Sequence, residues 1–212
     1  MKYFYLHGFA SSPQSTKARQ LRDRFRSVHL SLEIPDLNQD DFQHLTLTRQ
    51  IQQVKNLLTE EPTTLIGSSF GGLTAAWIAQ ECSQVDRIVL LAPAFNYLNH
   101  WLPTFAPSEL EKWRSGEPIL IYHYATGGSL PLNYEIVSDL AQYDEDQLQK
   151  PIPTLVLHGT QDEVIPIKQS RSNAEVRSWV ELIELESDHS LVNQEAQIWR
   201  AIRRFCSISP GL

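Results

Sequence analysis

Six short stretches of the chain are rich in apolar residues, and the longer segments between them carry apolar residues three and four apart. The near-continuous runs are residues 2–6, 28–34, 63–66, 86–92, 153–158 and 179–185. Their length suits strands. Ala18, Leu21 and Phe25 share one face of a helix predicted over residues 15–27, which Ser12 or Ser15 would cap. Leu47, Ile51, Val54 and Leu58 do the same over residues 43–60. Residues 73–82 read as a further apolar helix, and 167–177 and 190–206 as the last two. Pro35 closes the second strand. Strands that alternate with helices in this way predict a parallel sheet with helices on both faces.

Residues 94–150 break the alternation. They hold Tyr97, Trp101, Phe105, Trp113, Tyr122, Tyr124 and Tyr134, and two strand-like runs, 119–124 and 132–137, flank Gly127 and Gly128. A small hairpin is expected there. The segment reads as a cap or lid inserted between the fourth and fifth core strands of a single domain spanning residues 1–212. Trp101 and Tyr97 are candidate substrate contacts, while most of the rings are expected to pack the insertion's own core.

The chemistry sits where strands end. Residues 65–73, LIGSSFGGL, place Ser69 midway between Gly67 and Gly71. A Gly-x-Ser-x-Gly run between a strand and a helix is a nucleophile elbow, a strained turn that exposes the serine oxygen and crowds out any side chain two residues to either side. Ser68 lacks that centred position. The turn also aims the Phe70 N–H, at a helix start, toward a reacting carbonyl. Alone the pentapeptide is a weak signal, equally a glycine-rich turn. Two further signals follow in order. HGTQD at residues 158–162 puts Asp162 just past a buried strand, and ESDHS at 186–190 puts His189 just past another. Serine, acid, histidine is the chain order of the α/β-hydrolase triad. Asp188 is next to His189 in sequence and badly placed to orient its ring; Glu163, Asp144 and Asp146 read as solvated. After the first strand, His7 and Gly8 lead to Phe9, whose N–H is the candidate second oxyanion donor, with Ala10 the alternative. His7 itself reads as a brace for that loop.

Composition narrows the setting. The 212 residues are 42% hydrophobic and 20% charged, with a formal net charge of −7. That balance suits one soluble domain and argues against a broad nucleic-acid or anionic-membrane surface. There is no leader-like N-terminus and no run of the roughly 18 apolar residues that a membrane span needs. Cys82 and Cys206 are read as reduced, structural thiols of a cytoplasmic protein. The histidines outside the motifs lack metal-ligand spacing, so no metal or organic cofactor is expected. Ser11, Ser12, Ser15 and Lys17, near a helix start, are either a site for an anionic group or a capping and turn cluster; the residue types favour the latter.

The opening run YLHGFASSP at residues 5–13, followed by Ser15 and Lys17, resembles the start of the small bacterial YqiA-like esterases. GSSFGG at 67–72 resembles that family's nucleophile turn, and HGTQD with Asp188–His189 its acid and base segments. The opening is the most specific part; the rest is widespread among α/β-hydrolases. The resemblance implies a compact α/β-hydrolase fold, and the strand count along the chain gives about six mostly parallel core strands, so the first antiparallel hairpin of the usual eight-stranded form is expected to be missing. The resemblance also implies hydrolysis of a carboxylic ester or thioester through Ser69, His189 and Asp162, with a small-molecule substrate and no cofactor. A non-catalytic ligand- or partner-binding protein on the same fold is the competing reading; such proteins usually have a broken triad, and here all three positions are filled.

Overall fold

The computed structural model describes residues 1–209. In chain order, strand β1 is Lys2–Leu6, followed by helices α1 (Thr16–Ser27) and α2 (Leu47–Leu57). Strand β2 (Thr63–Ser68) runs into helix α3 (Phe70–Glu81), and β3 is Val85–Leu91. The insertion then forms α4 (Tyr97–Trp101), α5 (Pro107–Arg114), β4 (Ile119–His123), β5 (Gly128–Leu132) and α6 (Glu135–Leu140). The chain ends with β6 (Thr154–Gly159), α7 (Lys168–Glu175), β7 (Val180–Leu185) and α8 (Glu195–Phe205). No helix among the described residues is long and apolar enough to cross a membrane.

Five strands form one parallel sheet in the order β1-β2-β3-β6-β7. Period-two alternation divides their side chains between two cores. Phe4, Leu6, Leu65 and Leu90 face α2, α3 and the insertion, whereas Tyr3, Tyr5, Ile66, Val89 and Leu157 face α1 and α8. Helices therefore cover both faces, as the alternation of strand and helix segments predicts.

The sixth expected strand, residues 28–34, makes only one bridge, Glu33 to Phe4. Glu33 exchanges hydrogen bonds with Tyr3 and Tyr5 at 2.9 and 2.8 Å. Neither side can extend. The Leu30 N–H is spent on Phe25 O at 3.0 Å, closing α1, and Pro35 has no N–H to give. The hairpin also differs from expectation. Its second strand is Gly128–Leu132, and residues 135–140 are helix α6, with Ile136, Val137 and Leu140 buried at helical spacing. Gly127, at φ +66°, ends the turn.

The rings of the insertion mostly pack on one another. Trp101 meets Tyr97, Phe105 and Trp113 at centroid distances of 5.1, 5.5 and 5.4 Å, and Trp113 meets Tyr134 at 5.2 Å. Tyr122 and Tyr124 remain exposed. This aromatic layer is anchored on the main body through Phe9, 5.3 Å from Trp101, and Phe70, 5.7 Å from Tyr97.

The tightest backbone approach lies under the elbow. A Cβ on Gly71 would stand 2.2 Å from Leu6 O and 2.5 Å from His7 O, both main-chain atoms of the central sheet region. Neither can move without unzipping β1. Gly71→Ala is therefore expected to cost about 1–3 kcal/mol or more, read as a lowered urea midpoint.

Candidate active site

Parallel strands bring their C-terminal ends to one edge, and open α/β sheets bind ligands there. Here that edge gathers the loops after β1, β2, β6 and β7. The elbow leaves β2 at Ser69, whose φ of 53° and ψ of −119° lie where a side chain is strained. Its carbonyl accepts Gly72 and Ala94 N–H groups at 2.8 and 3.0 Å, which hold the strained turn in place.

The three motif residues come together across 120 residues of sequence. Ser69 Oγ lies 3.0 Å from His189 Nε2, and His189 Nδ1 lies 2.7 Å from Asp162 Oδ2. An ionised carboxylate only accepts, so Nδ1 carries the proton and Nε2 is left to accept from the serine hydroxyl. Asp162 Oδ1 in turn accepts the Val164 and Ile165 N–H groups at 2.9 and 2.8 Å. Burial pushes the Asp162 carboxyl up, but hydrogen bonds from His158, His189 and the Ile165 N–H outweigh it and hold the group well below the usual carboxylate range. Asp188 is not the orienting acid: it accepts from the Ser190 N–H and hydroxyl at 2.9 and 2.6 Å.

A second histidine braces the acid. His158 is fully buried, with Nε2 at 3.0 Å from Asp162 Oδ2 and 2.9 Å from Ile165 O, and Nδ1 at 2.7 Å from Ser170 Oγ. The Ile165 carbonyl only accepts, so Nε2 is the protonated nitrogen and Ser170 supplies the hydroxyl for Nδ1. The motif HGTQD thus brings two side chains, His158 and Asp162, to the site where the sequence pointed to one. Nothing local in the sequence marked Ser170.

The loop after β1 abuts the nucleophile. A Cβ on Gly8 would meet Ser69 Cβ at 3.3 Å, so Gly8 and Phe9 form the wall beside the serine. His7 is a brace, as expected: Nδ1 donates to Gly8 O at 3.0 Å and Nε2 accepts the Leu37 N–H at 3.0 Å. Ala10, at φ 50°, accepts the Tyr124 N–H at 3.0 Å and ties the insertion's hairpin to this loop.

A cleft of about 1120 Å³ opens over Ser69 and His189, lined among others by Phe9, Lys17 and Tyr124. Trp101 and Tyr97, the expected substrate contacts, do not line it. Helix α4 turns both rings into the aromatic layer against Phe9 and Phe70, where burial gains more than exposure to a cleft would. The serine cluster at the start of α1 divides by role. Ser15 caps the helix, accepting the Ala18 N–H at 3.3 Å, and Ser12 accepts the Gln14 N–H at 3.1 Å. Lys17 instead reaches the elbow and donates to Ser68 Oγ at 2.8 Å.

Fold and strand-end chemistry together define an α/β-hydrolase fold. Solved structures agree over nearly the whole chain. The mouse alpha/beta hydrolase domain-containing protein 10 superposes with a TM-score of 0.77 at 19% identity, covering 97% of this chain and 89% of its own. Est1E from Butyrivibrio proteoclasticus, solved with ferulic acid bound, gives 0.76 at 18%, covering 96% and 87%. The esterase domain of a Rhodothermus marinus protein gives 0.69 at 16%, covering 97% and 85%. The model of the uncharacterised protein family UPF0227 matches residues 2–206, and the chain belongs to that family, the YqiA-like one its motifs resemble.

Proposed function

We propose that the protein is a serine hydrolase that cleaves carboxylic esters or thioesters through an acyl-enzyme. The observation that carries this is the relay Ser69–His189–Asp162, with contacts of 3.0 and 2.7 Å, on a nucleophile held at positive φ. The esterases among its structural relatives lend support by fold alone.

The geometry supports the following steps. Ser69 Oγ attacks the substrate carbonyl as His189 Nε2 takes its proton. In this reading the Phe9 and Phe70 N–H groups bind the oxyanion; Phe70 opens α3, so its N–H has no carbonyl one turn back, which supports that role. Collapse of the tetrahedral intermediate breaks the bond to the leaving group, which receives the proton from His189. Water then attacks the acyl-enzyme, gives a proton to His189, and the acid leaves as Ser69 regains its own. Asp162 keeps the ring in the productive tautomer and offsets the imidazolium charge. His158 and the two backbone donors keep Asp162 from rotating. In this scheme residues 94–150 act as a cap whose hairpin forms one rim of the cleft through Tyr124.

Rapid mixing with a p-nitrophenyl ester tests the acyl-enzyme. The expected result is a burst of nitrophenol of at most one equivalent when deacylation is slow, with acyl mass added to the peptide bearing Ser69. Turnover with the acyl group found elsewhere, or unaffected by loss of Ser69, would sink the scheme.

A further inference from the structure

One charged group in the cleft is left unused by this mechanism. Lys17 Nζ donates to Ser68 Oγ, the residue before the nucleophile, and lines the same cleft as Ser69 and His189. Among the described residues, no carboxylate lies within 4.0 Å of its ammonium. The acids nearby are engaged elsewhere: Asp162 with His189 and His158, Asp188 with Ser190. Glu163, also in the lining, is exposed, and Arg19 of α1 adds a second cation.

An ammonium has three donors, and the hydroxyl uses one. A half-buried cation with no counter-ion is expensive to keep, and such a group inside a catalytic cleft marks a place for a ligand charge. From the first turn of α1 the ammonium reaches the end of β2 at Ser68 and lines the cleft that a bound ester must occupy, with two donors unspent.

We propose that Lys17 is the anion-recognition residue of the cleft and that the substrate is an ester or thioester carrying a carboxylate or phosphate group. This rests on the ester-hydrolase reading and names its substrate class. Burial pulls the Lys17 ammonium down to about 8, against the opposing pull of Asp162 and Asp188. The charge is present below that pH and lost above it. Anion preference therefore fades as pH rises through about 8, a range in which Asp188, held below its ordinary value chiefly by the Ser190 hydroxyl, stays ionised.

The experiment compares matched substrates. On the acyl side, p-nitrophenyl hemiglutarate is set against p-nitrophenyl valerate; on the leaving side, S-butyryl phosphopantetheine against S-butyryl pantetheine. The expected result is a preference for the anionic member of at least one pair of about tenfold in kcat/KM, equivalent to about 1.4 kcal/mol, and the pair that shows it identifies where the anion sits. In Lys17→Met that ratio falls toward one; in Lys17→Arg it persists, which guards against a folding defect. Ser68→Ala keeps the ratio, because the ammonium remains. A ratio near one in the wild type for both pairs overturns the proposal. So does a Lys17→Met ratio equal to that of the wild type, which would mean that Lys17 acts only on the elbow through Ser68.

Binding separates this proposal from the hydrolase reading. Calorimetry on Ser69→Ala, with or without Lys17→Met, measures affinity for the same pairs without turnover. Anion preference there, alongside a wild type that hydrolyses nothing, would reject the hydrolase reading and leave the anion site standing. Equal affinities within both pairs reject the anion site, whatever the turnover.

Discussion

Ser69→Ala is expected to lower kcat by about 10⁴-fold or more, since removing a triad nucleophile abolishes the covalent route and leaves only binding and oxyanion contributions. The change removes one oxygen from a side chain that caps no helix and whose hydrogen bond is to His189 alone. The fold should hardly notice: stability is expected to stay within about 1 kcal/mol of the wild type. Steady-state kinetics and a denaturation curve on the same sample check both halves. Near-wild-type kcat in a folded variant would remove Ser69 from the mechanism.

Asp162→Asn is the second large effect, and its cause is a proton on the wrong nitrogen. Two backbone N–H groups hold Oδ1, so the amide nitrogen of the variant must take the place of Oδ2. That place faces His189 Nδ1 at 2.7 Å and His158 Nε2 at 3.0 Å. A donor there forces Nδ1 to accept, which moves the proton to Nε2 and blocks proton transfer from Ser69. The expected loss in kcat is about 10⁴-fold. The same substitution has a stability signature. Asp162 is held well below the ordinary carboxylate pKa, so its contribution is present above the unfolded value of about 3.9 and is lost as pH falls below it. Wild-type unfolding free energy should therefore decline on acidification more steeply than that of Asp162→Asn. Equal slopes would mean that the acid is not bonded as described.

The contact of Ser69, His189 and Asp162 was legible because each of them follows a buried strand and carries its own local signature: glycines two residues to either side of Ser69, a strand running into HGTQD, and another into ESDHS. A parallel sheet delivers all such strand ends to one edge, so order along the chain is enough to predict that they meet. What was not legible depends on contacts across the sequence. Lys17 sat in a run whose serines do cap and shape a turn, and only the packing of α1 against the sheet directs its side chain to Ser68. His158 read as a motif letter until its ring was placed on Asp162.

The differences between sequence expectation and structure have similar origins. Residues 28–34 have strand composition, but helix closure at Leu30 and the missing donor of Pro35 limit them to one bridge. Ile136 and Val137 suit a strand or a helix equally over so short a run, and burial of Leu140 one turn later decides for the helix. Tyr97 and Trp101 were reasonable candidates for the cleft by position in the insertion. Large rings, however, go where they bury most area, and here Phe9 and Phe70 offered it.

The most direct test of the central claim is labelling with a fluorophosphonate, read by peptide mass spectrometry on the wild type and Ser69→Ala. The mechanism predicts one phosphonyl adduct on the peptide containing Ser69, lost in the variant and strongly slowed in Asp162→Asn. A folded wild type that takes no label, or takes it at a residue other than Ser69, would contradict an activated Ser69 and give precedence to a binding protein built on a hydrolase fold.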